Sequence, residues 1–566
     1  MTLRDAIDAA ESSVSGSFSN RPVIEASIRV SLGRSYSYLG DHAAAIKQGE
    51  AAVELFRNAL GPNDEETLTS IQNLAVFYND AGRNVAALSL LKDTLARMEA
   101  YRSADITNTL TVMHTLGLAH LNAGKYEEAV PVLEKALKLR ITHLGSGHPY
   151  TISSMNALAM AYGKLGRTRE ALPLVEESYH RALTSFGPTD PTTLSSMGNL
   201  ANAYHRVGRL TDALPLREEV FRQRMILYGS TNPMTLFSMN NLAMNYLDLG
   251  RRTEAVPLLE NVLQVRRATF EPLHPDTLSS IYNLAKAYRE SNRLSEALRL
   301  YEEAVSAREK KFGADHQLTL ESKAGLALTY RDLGDAFNAV QILEKLVGLD
   351  QKKFGLTNRI TLQDTISLAT SYEVAGRSTE TIVLLEQTVL AYRINYGLPD
   401  IETQRAMQSL AEAYARARDF GASEKQWREL LAEQSKMASS NNPSLLDSRS
   451  GLARVLLELG QPTDAESIMP KAKELTEAAA RADWRTASAR IVLGRILLAE
   501  DKGAQAEPLL LSGYDGLKAC ETNNPVQAKP RLKEALQSLV QLYELRSNAV
   551  QAAAWKQRLA EFNQVH

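Results

Sequence analysis

The 566-residue sequence predicts an all-α fold, a superhelical solenoid of about 13 helix pairs with a period of 42 residues. The first observation is a six-residue phrase that begins at Ser31 and recurs in register, as eleven copies, up to Gly451. Two looser copies begin at Val492 and Ser538. The second observation is a glycine at a fixed distance after most copies, and the third is an alanine column beyond it. Together they predict two helices per repeat, and we expect no β-strand.

The first helix of each repeat is defined by three columns of the phrase. Its second position is Leu from Leu32 to Leu452, its third is Ala or Gly, and its sixth is Tyr in nine of the eleven copies. His120 and Leu456 replace the tyrosine in the other two copies. Leucine, small residue and tyrosine at i, i+1 and i+4 form a stripe on one helix face, and the small residue lets a neighbouring helix approach closely.

Turn and capping residues mark where each helix ends and the next begins. Gly208, four residues after a tyrosine, suits a helix end that needs a left-handed residue. Ala213, five residues further, belongs to the column that marks the second helix. In the joint that leads to the following repeat, Asp190 is predicted to cap the next helix and Pro191 to occupy its first turn. Asn232 continues this pattern one repeat later.

The spacing of Leu, small residue, Tyr, turn glycine and alanine resembles the tetratricopeptide repeat, whose usual unit has about 34 residues. The additional residues of the 42-residue unit lie in the joint, as in GSGHPYT at 145–151 and EPLHPDT at 271–277. With NNLA at 240–243, these joints resemble the kinesin light chain class of tetratricopeptide repeat, over roughly residues 22–430. The resemblance implies a right-handed superhelix whose first helices line a concave face that binds peptides.

The two ends of the chain carry a second resemblance. TLRDAIDAAESSVSGSF at 2–18 and AEPLLLSGYDGLKA at 506–519 resemble segments of certain bacterial receptor-type serine/threonine kinases. This resemblance implies that the chain is either the sensor-side array of such a kinase or a stand-alone relative. The two alternatives place the chain differently: a native chain beginning at Met1 would be cytoplasmic, and a kinase-derived segment would be extracytoplasmic.

We predict three regions along the chain. Residues 1–21 form an N-terminal capping helix, residues 22–460 form the regular 42-residue repeats, and residues 461–566 form degenerate repeats with a closing helix. Irregular terminal repeats are expected because an end repeat must expose one face to water. No low-complexity linker interrupts the sequence, so we expect one continuous array.

Composition excludes several classes of function. The formal net charge is −2 and the pI is about 6.6, so no global basic field favours nucleic acid. No stretch approaches eighteen consecutive apolar residues, so we expect no membrane insertion. Cys520 is the only cysteine, which excludes an intrachain disulfide and a Cys-rich zinc module.

Catalytic and metal-binding motifs are also missing. The sequence has no Gly-rich phosphate loop, no Val-Ala-x-Lys and no His-Arg-Asp, the parts that a kinase needs. A kinase-like Asp-Phe-Gly occurs at 419–421, but its position predicts a turn between two helices. His143 and His148 are five residues apart in a joint, which does not match a helical zinc pair, and His120 is expected to pack in the tyrosine column. We therefore expect no enzymatic activity, no metal and no cofactor.

Polar residues on the first helices form the predicted binding site. An Asn amide both donates and accepts hydrogen bonds, so a ladder of Asn can hold the backbone of an extended peptide. Flanking Lys and Arg side chains favour an acidic ligand. The predicted peptide-binding residues are Asn156, Asn199, Asn202, Asn240, Asn241, Asn283, Lys164, Arg206, Lys286, Arg289 and Arg331.

Two interpretations of these polar columns remain open at this point. They either bind a ligand or form a solvated wall in which some Asn side chains bond to neighbouring helices. For the whole chain, the favoured hypothesis is a non-enzymatic protein- or peptide-binding scaffold. The alternative is a regulatory or sensor segment of a bacterial serine/threonine kinase whose catalytic domain is missing from this chain. A cryptic enzyme would require a converged acid–base pair in the groove.

Overall fold

The computed structural model describes residues 3–18, 20–100, 106–437, 443–471, 474, 484–521 and 525–565. In these ranges the chain forms 27 α-helices and no strand, which confirms the predicted all-α class. A single helix, α1 (Leu3–Ser17), precedes thirteen helix pairs.

Each pair consists of a first helix, which carries the repeated phrase, and a second helix, which follows the turn. The first helices are α2 (Pro22–Tyr38), α4 (Glu65–Asp80), α6 (Ile106–Asn122), α8 (Pro149–Lys164), α10 (Pro191–Arg206), α12 (Pro233–Asp248), α14 (Pro275–Glu290), α16 (Gln317–Asp332), α18 (Arg359–Val374), α20 (Ile401–Arg416), α22 (Pro443–Glu458), α24 (Trp484–Ala499) and α26 (Pro525–Leu545). The second helices are α3 (His42–Leu60), α5 (Asn84–Ala100), α7 (Tyr126–Leu144), α9 (Thr168–Phe186), α11 (Leu210–Tyr228), α13 (Arg252–Thr269), α15 (Leu294–Phe312), α17 (Ala336–Phe354), α19 (Ser378–Tyr396), α21 (Phe420–Met437), α23 (Pro462–Ile468), α25 (Gly503–Cys520) and α27 (Ala549–Val565).

The predicted caps and turns are present. Asp190 Oδ1 accepts a hydrogen bond of 2.7 Å from the Thr192 backbone N–H, and Pro191 begins α10. At the other end of that helix, Gly208 adopts a left-handed φ of 78°, which lets the next N–H, that of Arg209, donate to the Tyr204 carbonyl at 2.9 Å. These two devices satisfy backbone groups that a helix leaves unpaired at its ends.

The Asp-Phe-Gly tripeptide was predicted to fill the turn, but it lies at the junction of turn and helix: Asp419 ends the turn, and Phe420 and Gly421 begin the next helix. Helix α21 begins at Phe420, and the Asp419 carboxylate caps it by accepting from the Ala422 N–H at 3.0 Å. In this repeat no glycine follows the first helix, and Arg418 takes the left-handed conformation with φ of 63°. A non-glycine residue in this region is strained because its Cβ approaches the backbone.

The tyrosine column forms a regular hydrogen bond that the phrase alone did not predict. In seven described repeats the Tyr hydroxyl donates to a Glu carboxylate that lies 28 residues earlier, on the second helix of the preceding pair. The bonds join Tyr78 to Glu50, Tyr162 to Glu134, Tyr204 to Glu176, Tyr246 to Glu218, Tyr330 to Glu302, Tyr372 to Glu344 and Tyr414 to Glu386. This bond ties each repeat to the next.

The repeat that contains His120 changes both members of this bond. His120 replaces the tyrosine, and the residue 28 positions earlier is Lys92 instead of Glu. His120 is buried, and its Nδ1 has no hydrogen-bond partner among the described residues. Burial lowers the pKa of His120, and the positive charge of Lys92 adds to that effect. The paired change indicates that the two positions depend on each other.

In four repeats a buried arginine joins the second helix to the following first helix. Arg140 Nη1 donates to the Tyr150 carbonyl at 2.7 Å, and Arg308 Nη1 donates to the Leu318 carbonyl at 2.6 Å. Arg224 and Arg266 make the same bond to the carbonyl ten residues later, at 3.2 and 2.9 Å. All four are almost fully buried. By bonding to a backbone oxygen, the guanidinium group fixes the angle between consecutive pairs.

The described chain divides into two compact units. Unit 1 comprises Met1–Leu249 with Leu258–Thr277, and unit 2 comprises Gly250–Pro257 with Leu278–His566. Within unit 1, the end of α2 contacts a joint that lies 236 residues later in the chain: His274 Nε2 donates to the Tyr38 carbonyl at 3.2 Å. The Tyr38 ring packs edge-on against Phe270, with centroids 6.1 Å apart, and Phe270 stacks on His274 at 4.1 Å. The predicted boundary between regular and degenerate repeats at residue 460 stays a prediction.

Candidate functional site

The predicted binding residues fall into two groups that belong to different units. Unit 1 carries Asn156 and Lys164 on α8, Asn199, Asn202 and Arg206 on α10, and Asn240 and Asn241 on α12. Unit 2 carries Asn283, Lys286 and Arg289 on α14 and Arg331 on α16.

In unit 1 the structure brings most of the first group around two cavities. The larger, about 530 Å³, is lined by Asn156, Lys164 and Arg206, among others. The smaller, about 200 Å³, is lined by Asn241 together with the exposed side chains of Met234 and Phe237. Asn199, Asn202 and Arg217 line both cavities. We call the two cavities together the basic face of unit 1.

Arg217, on the second helix α11, is a candidate binding residue that the column analysis missed. Its side chain is only 7% exposed. Nη1 donates to the Asn241 carbonyl at 2.8 Å and Nη2 donates to Asn202 Oδ1 at 3.1 Å, while the buried Nε has no acceptor in the described chain. Burial lowers the pKa of Arg217 to about 10, and no described carboxylate lies within ion-pair distance. A buried cation without an anion is costly, so this site favours an incoming negative charge.

The signal for Arg217 was present in the sequence. The same 42-residue column holds Leu133, Val175, Leu259 and Leu343. Leu133, Val175, Leu259 and Leu343 are all buried apolar residues. Comparing the second helices at the 42-residue period identifies Arg217 as a charged residue in an apolar column. The predicted site used the first helices alone, because the family resemblance placed the peptide contacts there.

Some of the predicted asparagine side chains of unit 1 interact with other residues of the chain, and others make no hydrogen bond to a described residue. Asn156 bonds neighbouring helices: its Oδ1 accepts from the Ser178 hydroxyl at 2.9 Å, and its Nδ2 donates to Ser196 Oγ at 3.4 Å. Asn202 is held by Arg217, and Asn240 takes part in an interaction within the chain. The side chains of Asn199 and Asn241 make no hydrogen bond to the described residues, and both line the cavities.

Of the predicted cations of unit 1, neither Lys164 nor Arg206 forms an ion pair or a side-chain hydrogen bond with a described residue. Burial lowers the pKa of Arg206. Asp248 is a nearby acid that raises the pKa of Arg217 without forming an ion pair with it, and its Oδ2 lies 2.6 Å from His205 Nε2. The basic face therefore presents three cations, with Arg217 at the point where both cavities meet.

His114 lies at the edge of the larger cavity as a neutral side chain. It is 9% exposed, and its Nδ1 lies 3.3 Å from Ser154 Oγ. Burial lowers its pKa to about 4, and the nearby charge of Arg140 acts in the same direction. His148, a joint histidine that the sequence singled out, caps α8 by accepting from the Tyr150 N–H at 3.2 Å.

In unit 2 the basic residues of the predicted site are paired with acids. Lys286 Nζ lies 3.9 Å from Glu290 Oε1, and Arg289 Nη1 lies 3.7 Å from Asp332 Oδ2. Arg331 Nη2 contacts the same Asp332 at 2.8 Å. Asn283 takes part in an interaction within the chain. These contacts weaken the basic character that the sequence alone assigned to this group.

A third cavity, about 280 Å³, lies in unit 2 and is acidic on one side. Glu321, Asp350 and Asp364 line it, together with the aromatic rings of Tyr282 and Phe354. We call it the acidic cavity. The predicted binding positions on the first helices did not include these three carboxyl groups.

The described residues offer no site for a metal and no membrane span. They contain no group of three or more His, Cys, Asp or Glu side chains that could hold a metal ion. None of the described helices is both long and apolar enough to cross a membrane. Cys520 is buried and forms no disulfide.

Family models identify the repeats of this chain as tetratricopeptide repeats. Models of the tetratricopeptide repeat match residues 25–100, 108–184, 191–260 and 234–310, residues 320–353, and residues 447–469. Together they cover more than half of the chain. Among curated proteins, none matches this chain.

Solved structures that match parts of this chain come from two organisms. Two crystal structures show the nearly identical TPR-like repeats of a Podosopora anserina protein named after kinesin light chain; one of them is of a single-substitution variant. They are 31% identical to this chain, cover 36% and 37% of it and 97% and 98% of their own length, and have TM-scores of 0.33. BtubC (BKLC) from P. vanneervenii is 20% identical, covers 41% of this chain and 91% of its own, and has a TM-score of 0.35.

The family models agree with the caps, turns and helix pairs described above. No kinase domain is present among the described residues, which form helix pairs after α1. The chain belongs to the tetratricopeptide repeat family and has the architecture of a repeat scaffold.

Proposed function

We propose that this protein is a non-enzymatic scaffold that binds an acidic protein segment or peptide on the basic face of unit 1. The observation that carries the proposal is Arg217, a buried guanidinium group without a paired carboxylate in the described chain, placed where two cavities meet. Tetratricopeptide scaffolds bind proteins in general, and the acidity of the ligand is inferred from this face.

The chemistry of the face fits an extended segment that carries Asp or Glu. Asn199 and Asn241 have free amides that can donate to and accept from a peptide backbone. Lys164 and Arg206 supply unpaired positive charge beside them. Met234 and Phe237 provide exposed apolar area for a neighbouring side chain. Hydrogen bonding, charge and apolar contact therefore occur within one face.

The asparagines that interact within the chain have a supporting role in this proposal. Asn156 joins α8, α9 and α10, and Asn202 positions Arg217. Of the unit 2 group, Lys286, Arg289 and Arg331 are paired with carboxylates, so we place the acidic segment on unit 1. The alternative of helix-to-helix bonding thus applies to some of the predicted residues, and ligand binding is proposed for the others.

The test uses the intact chain and an array of short peptides, in which acidic sequences are matched with basic ones of the same apolar content. Hits are titrated by fluorescence anisotropy against wild type and Arg217→Leu, since Leu is the residue found in the same column of other repeats. Arg222→Leu is the control, because Arg222 is an exposed arginine on the same helix. We expect acidic peptides to bind, Arg217→Leu to weaken them by at least about tenfold, or about 1.4 kcal/mol, and added salt to weaken them further.

Two results would contradict the proposal. One is a set of hits that does not favour acidic over basic peptides. The other is equal affinity for wild type and Arg217→Leu at low salt, with Arg222→Leu behaving in the same way.

A second candidate function is the regulatory or sensor segment of a bacterial serine/threonine kinase. The observation that favours it is the sequence at 2–18 and 506–519, which resembles segments of such kinases. The test is the genomic sequence upstream of this reading frame: an in-frame membrane helix preceded by kinase motifs would support it, and a stop codon there would refute it.

A further inference from the structure

The acidic cavity of unit 2 contains a charge reversal at the position of the buried arginines. Asp350 stands where Arg140, Arg224, Arg266 and Arg308 stand in other repeats. In the preceding repeat, Ser322 lies fourteen residues after Arg308 and accepts its hydrogen bond at 2.9 Å. Asp364 lies fourteen residues after Asp350 and occupies the position of Ser322. A cation and a hydroxyl are thus replaced by two carboxyls at one structural position.

These two carboxyls lie close together and are poorly compensated. Asp350 is 0% exposed, and neither of its oxygens accepts a hydrogen bond from an N–H or hydroxyl group of the described chain. Its hydrogen-bonding neighbour is the Asp364 carboxyl, which donates to Asp350 when it is protonated. Asp364 is half-buried and lines the cavity with Asp350 beneath it. Burial raises the pKa of Asp364 to about 8, and the neighbouring Asp350 and Glu321 act in the same direction. Burial likewise raises the pKa of Asp350.

No cation of the described chain forms an ion pair with Asp364. Lys286 and Arg289, which also line the cavity, are paired with Glu290 and Asp332. The cavity is open to solvent, and at neutral pH the carboxyl pair keeps a proton that an incoming cation could replace.

We propose that the acidic cavity binds the cationic end of a ligand side chain, the ammonium of lysine or the guanidinium of arginine. Asp364 contacts the cation, and Asp350 adds negative charge from beneath. The rings of Tyr282 and Phe354 also line the cavity and offer apolar surface to the alkyl stem of the ligand, and one face of each ring already lies against Arg308 or Lys353 of the chain. The proposal rests on the peptide-binding function and adds to it a separate specificity of unit 2 for a basic side chain.

An organic cation fits this cavity better than a metal ion, since the described residues contain no set of three ligands that could hold one. The charged groups that face the pair are Glu321 on α16, Lys353 on α17, and Lys286, Arg289 and Arg308 on α14 and α15. Lys353 lowers the pKa of Asp350, but burial outweighs it. A cation that binds the ionised pair releases its proton, so affinity rises with pH.

The probe is n-butylguanidinium, with neutral n-butylurea of similar shape as its control. Binding to the intact chain is followed by saturation-transfer NMR over a pH series from about 6 to about 9. With a pKa of about 8, affinity is expected to rise about tenfold from pH ~6 to ~7 and about tenfold again from pH ~7 to ~9. n-Butylurea is expected to give no comparable signal at any pH.

The variants are Asp364→Asn, Asp364→Ser and, as a control with the same loss of charge, Asp315→Asn on an exposed joint. Both Asp364 variants are expected to bind n-butylguanidinium at least about tenfold more weakly, and Asp315→Asn to bind like wild type. Two results would overturn the proposal: equal binding of n-butylguanidinium by wild type and the Asp364 variants, or a wild-type affinity that does not change with pH. The pH series needs only the wild-type chain, so it tests the proposal even if the variants fail to fold.

This test is separate from that of the basic face. n-Butylguanidinium carries no acidic group, so loss of its binding leaves the acidic-peptide result on unit 1 unaffected. Conversely, failure of every acidic peptide would refute the proposed function of unit 1 while the cation result still stood.

Discussion

The exchanged pair Lys92 and His120 allows the tyrosine–glutamate bond to be tested by restoring it. We predict that Lys92→Glu with His120→Tyr stabilises the helices around it, because the double variant rebuilds the bond seen at Tyr162 and Glu134. A hydrogen bond to a charged group contributes roughly 1.5–3 kcal/mol when buried. Since the bonds of this column are partly exposed to solvent, we expect about 1 kcal/mol of coupling between the two substitutions.

The two single variants are needed to obtain the coupling energy. Lys92→Glu alone places a carboxylate beside His120 and removes a charge that lowers its pKa, so the pKa of His120 is expected to rise. His120→Tyr alone removes a buried ring nitrogen without a partner but leaves the hydroxyl facing Lys92. Neither change alone supplies both a donor and an anionic acceptor.

The assay is native-state hydrogen exchange of α5 and α6, because a repeat array does not unfold in one step and a single global midpoint would blur a local effect. The matched control is the reverse exchange in the next repeat, Glu134→Lys with Tyr162→His. We expect that control to lose about as much local stability as restoration gains. Additive single effects in both cycles, with no coupling, would refute the reasoning.

Two further predictions concern the strained turn and the buried histidine. Arg418→Gly relieves a left-handed φ of 63° and is expected to stabilise its repeat by about 1 kcal/mol, seen as slower exchange in α20 and α21; no change would show that the turn is unstrained. The folded pKa of His114, about 4, lies below its ordinary value of 6.5, so the unfolded chain binds the extra proton and stability falls as pH drops through that interval, by at most about 3 kcal/mol. His114→Gln should reduce this loss in urea titrations followed by exchange in α6, and an unchanged pH profile would contradict the assignment.

The fold was largely predictable because one repeat unit is written many times. Its period gives the helix pairs, its glycine column gives the turns, and its Asp and Pro residues give the caps. Arg418 departs from this pattern: the chain keeps the turn geometry without the glycine that predicts it. The surrounding helix pair holds the backbone here even where a single residue disfavours it.

The site was less predictable because its decisive residues depart from their columns. Arg217 interrupts an apolar column, and Asp350 places a negative charge at a position where four other repeats have Arg. Their effects depend on which groups surround them, such as the Asn202 amide or the Asp364 carboxyl, and spacing alone does not give those distances. Pairings such as that of Arg289 with Asp332 likewise appear only in three dimensions.

The contact of His274 with Tyr38 has a consequence for how this chain can change in length. Repeat arrays grow and shrink by whole units, which is tolerated when each repeat touches only its neighbours. In unit 1, gaining or losing one 42-residue unit between these two residues would carry the histidine away from its carbonyl partner and separate Phe270 from the Tyr38 ring. The number of repeats between them is therefore constrained by this contact, independently of what any one repeat binds.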